Sequence, residues 1–590
     1  MKQFQKIGVA AAVASVAAGA VAQQVSRTET GDLAIVPYYT VKDGVNTGLH
    51  IINTTDSTQV VKIRLRRGTD SKDALDFNLV MSPRDEWTAN ISGTGNANSP
   101  VLVTTNDTTC TVPEFPEGGA PMPATFAEGA EEGYIEVIAM AETTDENQGI
   151  AIAAKHTDGV PASCADVRQN FYRVAAEDAG VDTGARGVHN SGLTSDGGAC
   201  TAAVVGSATA GCAVTGTNNL STYIDSDDNA LKVSFMLTDP DGGLEAGDNA
   251  VMVEGFGQGP MMTNQQPLSF GTDGYLDFDP LNFELPNLAY GSYDSSVDSR
   301  KEAQTAVVLD DGSVWDPTNG SMFNAVANAL DADSIMNDWA AFETADGTVN
   351  ADWVVTLPGQ YVMVDPICEI YSEYDQGSGV SAVAHCATTT ALAYAAATAG
   401  GADQNQLPLL VASNRDGGSL VSNENMNMNL WDREEAPLAG PETPITEVDP
   451  NLGFSPTGST DSANPDRIDV FLPYEVNVID FGEEGAASAL DSDLKLTVTP
   501  DGADRGWGRL DIEANPNNPT PQIWGPGALD DESNVIPTDG GVGGSWTQVA
   551  TTDNVAVVGF AVWQRSFANQ AGNYGRIVEH STITSTSTTR

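Results

Sequence analysis

In Val61-Lys62-Ile63-Arg64-Leu65-Arg66 apolar and basic side chains alternate without exception. A period of two fits an extended strand, whose successive side chains point to opposite faces. The pattern predicts a half-buried strand with Val61, Ile63 and Leu65 toward a core and the basic residues outward. Leu75-Asp76-Phe77-Asn78-Leu79 repeats it. Further strands are expected over 134–140, 231–237, 250–255, 306–309, 353–357, 361–364, 468–479, 494–498 and 555–563. Clusters of Gly, Asp, Asn, Pro and Ser stand between them, and 59 Gly with 30 Pro make such turns dense along the chain.

The expected fold class is therefore mainly β, with two or more β-sandwich-like domains, long decorated loops and a few short helices. Helical spacing is confined to 165–177 and to 321–342, where Phe323, Val326, Leu330, Ile335 and Trp339 fall on one helical face. This divides the chain into an N-terminal β-rich region over 23–300, a partly helical connector over 301–345, and a C-terminal β-rich region over 346–580. A Ser/Thr tail over 581–590 is expected to be disordered.

Residues 1–22 read as a secretory signal peptide. Lys2 and Lys6 precede an apolar, small-residue run that ends in Ala20-Val21-Ala22. The run is too short for a spanning helix, and no later stretch is long and apolar enough, so no transmembrane insertion is expected. The formal net charge is −55, from 26 Lys and Arg against 81 Asp and Glu. Nucleic acid is excluded as a partner, because phosphate binding needs a broad basic footprint. Six cysteines in an exported chain are read as disulfides. Proximity pairs Cys200 with Cys212 and Cys368 with Cys386, leaving Cys110 with Cys164, although other connectivities remain open.

No nucleophile elbow, zinc-protease helix or Walker A loop occurs, and His50, His156, His189, His385 and His580 are far apart. No catalytic residues and no enzymatic activity are expected. Asp225-Ser226-Asp227-Asp228-Asn229 places oxygen ligands at alternate positions like the start of a calcium loop, but Ala230 and Met236 stand where an EF-hand needs Gly and Glu. The candidate calcium ligands are Asp225, Asp227, Asn229, Asp239, Asp241, Glu245, Asp248, Asp277 and Asp279, against the alternative of a solvated acidic surface. Lys62, Arg64 and Arg66 are a candidate contact face for the acidic surface of another copy or an anionic polysaccharide, against the alternative of pairing with local carboxylates. Trp507, Trp524 and Trp546 are read either as core or as platforms for sugars.

Several islands give the chain a family likeness. They are Val36-Pro37-Tyr38-Tyr39-Thr40, Leu75 to Leu79 running to Ser82-Pro83-Arg84-Asp85-Glu86-Trp87, and Asp352-Trp353-Val354-Val355-Thr356-Leu357-Pro358. Trp431-Asp432-Arg433-Glu434-Glu435, Gly559-Phe560-Ala561 and Asn573-Tyr574-Gly575 continue the series. In that order they resemble exported surface-layer-like proteins of marine Gram-negative bacteria. The resemblance implies a β-rich structural subunit on the outer cell surface, with no catalytic residues to carry over. The resemblance also implies self-assembly, and because like charges repel at contact, so acidic a chain is expected to be stabilised in it by divalent cations, calcium above all. The alternatives are a secreted adhesin or glycan-binding protein that holds outer-surface polysaccharide, and then a secreted hydrolase.

Overall fold

The computed structural model describes residues 24–69, 71, 73–122, 127, 129–147, 149–169, 223–239, 244–256, 261, 286–288, 307–308, 314–315, 322–359, 426–438, 459–461, 464–470, 472, 474–482, 488–500, 502–512, 522–526, 546–551, 555–568 and 574–584. The signal-peptide-like segment, the strand expected over 361–364 and the helical pattern beyond 169 lie outside them.

The N-terminal half contains β1 (Gln24–Val25), β2 (Leu33–Thr40), β3 (Asn46–Asn53), β4 (Gln59–Arg67), β5 (Asp73–Met81), β6 (Glu86–Gly93), β7 (Val101–Thr104), β8 (Cys110–Val112), β9 (Ala120–Pro121) and β10 (Glu132–Thr143). Helix α1 (Gly149–Ala154), β11 (His156–Thr157), β12 (Val160–Pro161) and α2 (Cys164–Gln169) follow, then β13 (Tyr223–Ile224), β14 (Leu231–Asp239), β15 (Leu244–Asn249) and β16 (Val251–Glu254). One sheet runs β1-β16-β2-β10-β4-β5-β8 with β13 beside β10, and a second runs β15-β14-β3-β6-β7-β9. In β3 and β6 buried residues alternate with more exposed ones, as in a sheet with one wet face. A disulfide between Cys110 and Cys164 ties β8 to α2. Cys200, Cys212, Cys368 and Cys386 lie outside the described residues.

Strands β4 and β10 are buried along their whole length. This corrects the expected outward basic face. Lys62, Arg64 and Arg66 are 1%, 0% and 1% exposed, so they are not available as a contact face for a partner. Their alternation does set two faces, but a further layer of the same chain covers the second one. Lys62 pairs with Asp76 on β5, and Arg66 Nε lies 3.1 Å from Glu136 Oε1 on β10. Arg64 donates to the Pro286 carbonyl at 2.7 Å, and Arg66 to the Ser71 carbonyl at 3.0 Å.

The C-terminal half holds the short pair β17 (Val307–Val308) and β18 (Val314–Trp315), then α3 (Met322–Ala329), β19 (Ser334–Thr344), β20 (Gly347–Thr356), β21 (Met426–Asp432), β22 (Pro437–Leu438) and β23 (Ser459–Asp461). It continues with β24 (Asn464–Val470), β25 (Val476–Phe481), β26 (Lys495–Val498), β27 (Arg505–Asp511), β28 (Gln522–Pro526), β29 (Trp546–Thr551), β30 (Val558–Arg565), β31 (Tyr574–Glu579) and β32 (Ser581–Ile583). The main ladder is β23-β24-β21-β27-β19-β20-β25-β26, with β30 and β31 added beside β20. Strand β19 is shared between two sheets: Ser334 to Ala340 pair with β27, and Ala341 to Thr344 pair with β20.

Three boundaries differ from those expected. The helix of the connector stops at Ala329, and Ile335 and Trp339 stand on β19. Residues four apart share a face in a helix and in a strand alike, so that spacing does not separate the two. The expected strand over 468–479 is two strands, β24 and β25, because Pro473 between them has no N–H for a ladder. Ser581–Ile583, placed in the disordered tail, pairs as β32 with the open edge of β19 at Ser334 to Met336.

The two halves share one apolar core. Phe235 of β14 and Phe560 of β30 have ring centroids 5.6 Å apart, and Thr356 Oγ1 donates to the Pro37 carbonyl at 2.6 Å. The Val476 N–H donates to the Gly68 carbonyl at 2.9 Å, and Tyr134 Oη to Glu475 Oε1 at 3.5 Å. Residues 474–476 thus belong to the layer over the charged face of β4. Removing one partner of a buried ion pair leaves a charge without compensation and costs about 3–5 kcal/mol. Arg66→Met should show a loss of that order in urea unfolding, and adding Glu136→Gln should recover part of it. Equal stability of the single variant and the wild type would remove the pair from the stabilising interactions.

Candidate binding cleft

Where β19 passes from one sheet to the other, the chain leaves a cleft of about 560 Å³. One wall comes from β21, β27 and β19. Trp507 pairs in register with Trp431 on one side and with Asp338 on the other, so the three side chains share a face. The two indoles stack with centroids 4.1 Å apart and planes 11° apart. Gly506 permits this approach, because a Cβ there would lie 1.7 Å from the Trp431 carbonyl oxygen. Asp432 Oδ1 accepts the N–H groups of Glu434 at 2.7 Å and Ala436 at 2.9 Å, closing the turn that sets Arg433 and Glu435 at the rim.

The other wall is the face of β20, β30 and β31. Arg565 pairs in register with Tyr574 and with Val349, which itself pairs with Phe342, while Trp563 pairs with Arg576. The guanidinium carbons of Arg505 and Arg576 lie over the rings of Phe342 and Trp563, at 5.1 Å and 4.7 Å from the centroids. Arg565 lies 4.6 Å from the Phe567 centroid, and its Nη1 is 3.5 Å from Tyr574 Oη. Trp507 and Tyr574 remain 38% and 53% exposed, so ring faces are open to the cleft.

The ion pairing is unusual for so acidic a chain. Arg505 lies 3.7 Å from Asp504, but Arg433, Arg565 and Arg576 make no ion pair with any described carboxylate. Stacked cations keep their charge available at the ring edge while their stems pack against apolar surface. The wall also carries Asp338, Asp432 and Glu435. Aromatic faces with a few convergent polar groups, in a volume within the ligand-pocket range of about 300–1,000 Å³, make a small-molecule or chain-binding site.

Of the sequence-based candidates, only Trp507 lies in this cleft. Trp524 and Trp546 belong to the separate β28–β29 pair. The calcium candidates do not converge: among the described residues no group of three or more His, Cys, Asp or Glu is placed to hold a metal. Asn229 instead accepts from Thr30 Oγ1 at 3.0 Å. Asp225 and Asp227 share its turn before β14, Asp239 ends β14, and Glu245 and Asp248 lie on β15. Asp241, Asp277 and Asp279 lie outside the described residues. A Ser/His pair does occur, with His156 Nδ1 3.1 Å from Ser82 Oγ and 3.6 Å from Asp85 Oδ2. Serine and aspartate compete for the same ring nitrogen, so this is not the relay in which the carboxylate and the hydroxyl take opposite nitrogens. Among the described residues no helix is long and apolar enough to cross a membrane.

A second polar constellation joins the halves. The loop over 488–494 covers Asp352 and Asp480, which pair in register between β20 and β25. Ser488 Oγ and the Leu490 N–H donate to Asp352 Oδ2 at 2.6 and 2.9 Å. Farther along the same loop, the Asp493 N–H donates to Glu132 Oε1 at 2.9 Å, and Tyr38 Oη donates to Glu132 Oε2 at 2.6 Å. Burial, followed by the negative charge of Asp352, pushes the Asp480 carboxyl up to about 7, against the opposing pull of Lys495. Burial also holds the His580 ring down at about 4.

These two shifts act with opposite signs. Between pH 4 and 7 the folded state binds more protons than the unfolded one at Asp480, so this group's contribution to stability falls as pH rises. At His580 the unfolded state binds more protons, so stability rises with pH over roughly the same window. Asp480→Asn should isolate the first term: its stability relative to wild type should increase from about pH 4 to about pH 7 and then level off. Urea unfolding at a series of pH values measures this, and a difference that does not change with pH would refute it.

No protein-family model, no curated protein and no solved structure matches this chain.

Proposed function

We propose that the protein is displayed on the outer cell surface and that its cleft binds saccharide chains. The observation that carries this reading is the aromatic lining of the cleft: Trp507, stacked on Trp431 and still partly exposed, lines it together with Phe342, Trp563 and Tyr574. A pyranose ring offers C–H faces that pack on indole and phenol rings, and its hydroxyls need both donors and acceptors. The arginines supply donors and Asp338, Asp432 and Glu435 supply acceptors, so the lining meets both requirements. Residues 1–22 and the family likeness support export and surface display. In this reading a surface-layer-like subunit attaches to its cell through polysaccharide, and the acidic exterior keeps the chain soluble.

The test is retention of the full chain on immobilised polysaccharide extracted from the surface of the producing cells. Each ring contributes about 1 kcal/mol, so the double variant Trp507→Ala/Tyr574→Ala should bind about tenfold more weakly or worse. Its thermal unfolding should remain one cooperative transition, lowered by the loss of the Trp431–Trp507 stack, which shows that the variant is folded. Undiminished retention of the folded double variant would refute the assignment.

A further inference from the structure

We infer that the saccharide taken by this cleft is acidic, bearing carboxylate or sulfate groups that Arg433, Arg565 and Arg576 recognise. The inference rests on the saccharide reading and adds the chemical class to it. Its basis is a mismatch between composition and pairing. The chain has 81 Asp and Glu for 26 Lys and Arg, so carboxylates are in large excess over the cations that could neutralise them. Elsewhere most described cations use that excess: Lys62 meets Asp76, Arg66 meets Glu136, Arg84 meets Asp56, Arg168 meets Glu114 and Lys232 meets Glu29, whereas Arg27 and Lys155 are isolated exposed exceptions. Three arginines around one cleft have no carboxylate partner among the described residues.

Two of the three are also held in place. Arg576 stacks on Trp563 and Arg565 on Phe567, which restricts long side chains before any ligand arrives. A guanidinium lying over a ring still has N–H groups to offer, and its fork of donors matches a carboxylate or a sulfate ester. Arg565 and Arg576 lie on neighbouring strands beside Tyr574 and Trp563, so anion recognition and ring stacking are available to adjacent parts of one sugar chain. An acidic loop of a second copy would also meet the arginines. It would leave the open faces of Trp507 and Tyr574 without a matching surface, and this favours a saccharide. The net charge of −55 repels a polyanion at long range. At physiological salt the screening length is about 8 Å, so contacts within the cleft decide the binding.

Calorimetric titration of the full chain with four probes tests this: polygalacturonate, its methyl ester, dextran sulfate and dextran. At least one acidic polymer should bind about tenfold or more tightly than its neutral counterpart. Preference for polygalacturonate assigns carboxylate as the recognised group, and preference for dextran sulfate assigns sulfate. Arg565→Gln/Arg576→Gln should abolish that preference, and a cooperative thermal unfolding transition close to that of the wild type shows that the variant is folded. Equal binding of acidic and neutral polymers by the wild type would overturn the acidic assignment and leave the saccharide reading standing. Binding of none of the probes, with self-association in sedimentation lost in the double arginine variant, would overturn both and make a second copy the occupant.

Discussion

Burying Lys62, Arg64 and Arg66 on one face of β4 strips three cations of water, and a fold can bear that only where carboxylates and carbonyls take the place of the solvent. Asp76 and Glu136 stand on the two neighbouring strands, and carbonyls of Ser71 and Pro286 take two of the guanidinium donors. The lid over this face includes residues 474–476 of the C-terminal half. The N-terminal half therefore cannot expose this face cheaply, and the two halves stabilise each other through it. Hydrophobic contact between Phe235 and Phe560 adds to the docking, but the buried cations demand it.

The loop over 488–494 meets the same requirement with the opposite sign. Glu132, Asp352 and Asp480 are buried carboxylates, and the loop brings backbone N–H groups and serine hydroxyls to two of them. Burial raises all three from their ordinary values. One half of the molecule thus hides cations at the junction and the same junction hides anions nearby, in a chain whose formal net charge is −55.

Much of the fold was legible from spacing alone. The alternation of β4 and β5, the turns and the mainly β class all follow from a period of two and from Gly, Pro and Asp punctuation. The failures have physical causes. Alternation tells which residues share a face but not whether that face meets water, and this misplaced Lys62, Arg64 and Arg66. Ile335 and Trp339 are four apart, a separation common to both kinds of element. The cleft was almost invisible, because its residues come from β19, β21, β27, β30 and β31 and no short segment holds more than a few of them. In the sequence Trp507 reads either as core or as a sugar platform, and Trp431 to Glu435 and Tyr574 stand out only as islands of family likeness. What makes the three arginines informative is that they share a cleft with Asp338, Asp432 and Glu435 and yet pair with no described carboxylate, and a sequence so rich in Asp and Glu gives no sign of that.

Strand β19 hydrogen-bonds into two sheets at once, and the cleft lies across the place where it changes partner. A polymer held there and pulled by moving water would load β19 from both sides along its length. Its ladders with β27 and β20 would then resist in shear, many hydrogen bonds together, instead of unzipping one by one. The grip on the ligand and the mechanical strength of the body that carries it would thus come from the same eleven-residue strand.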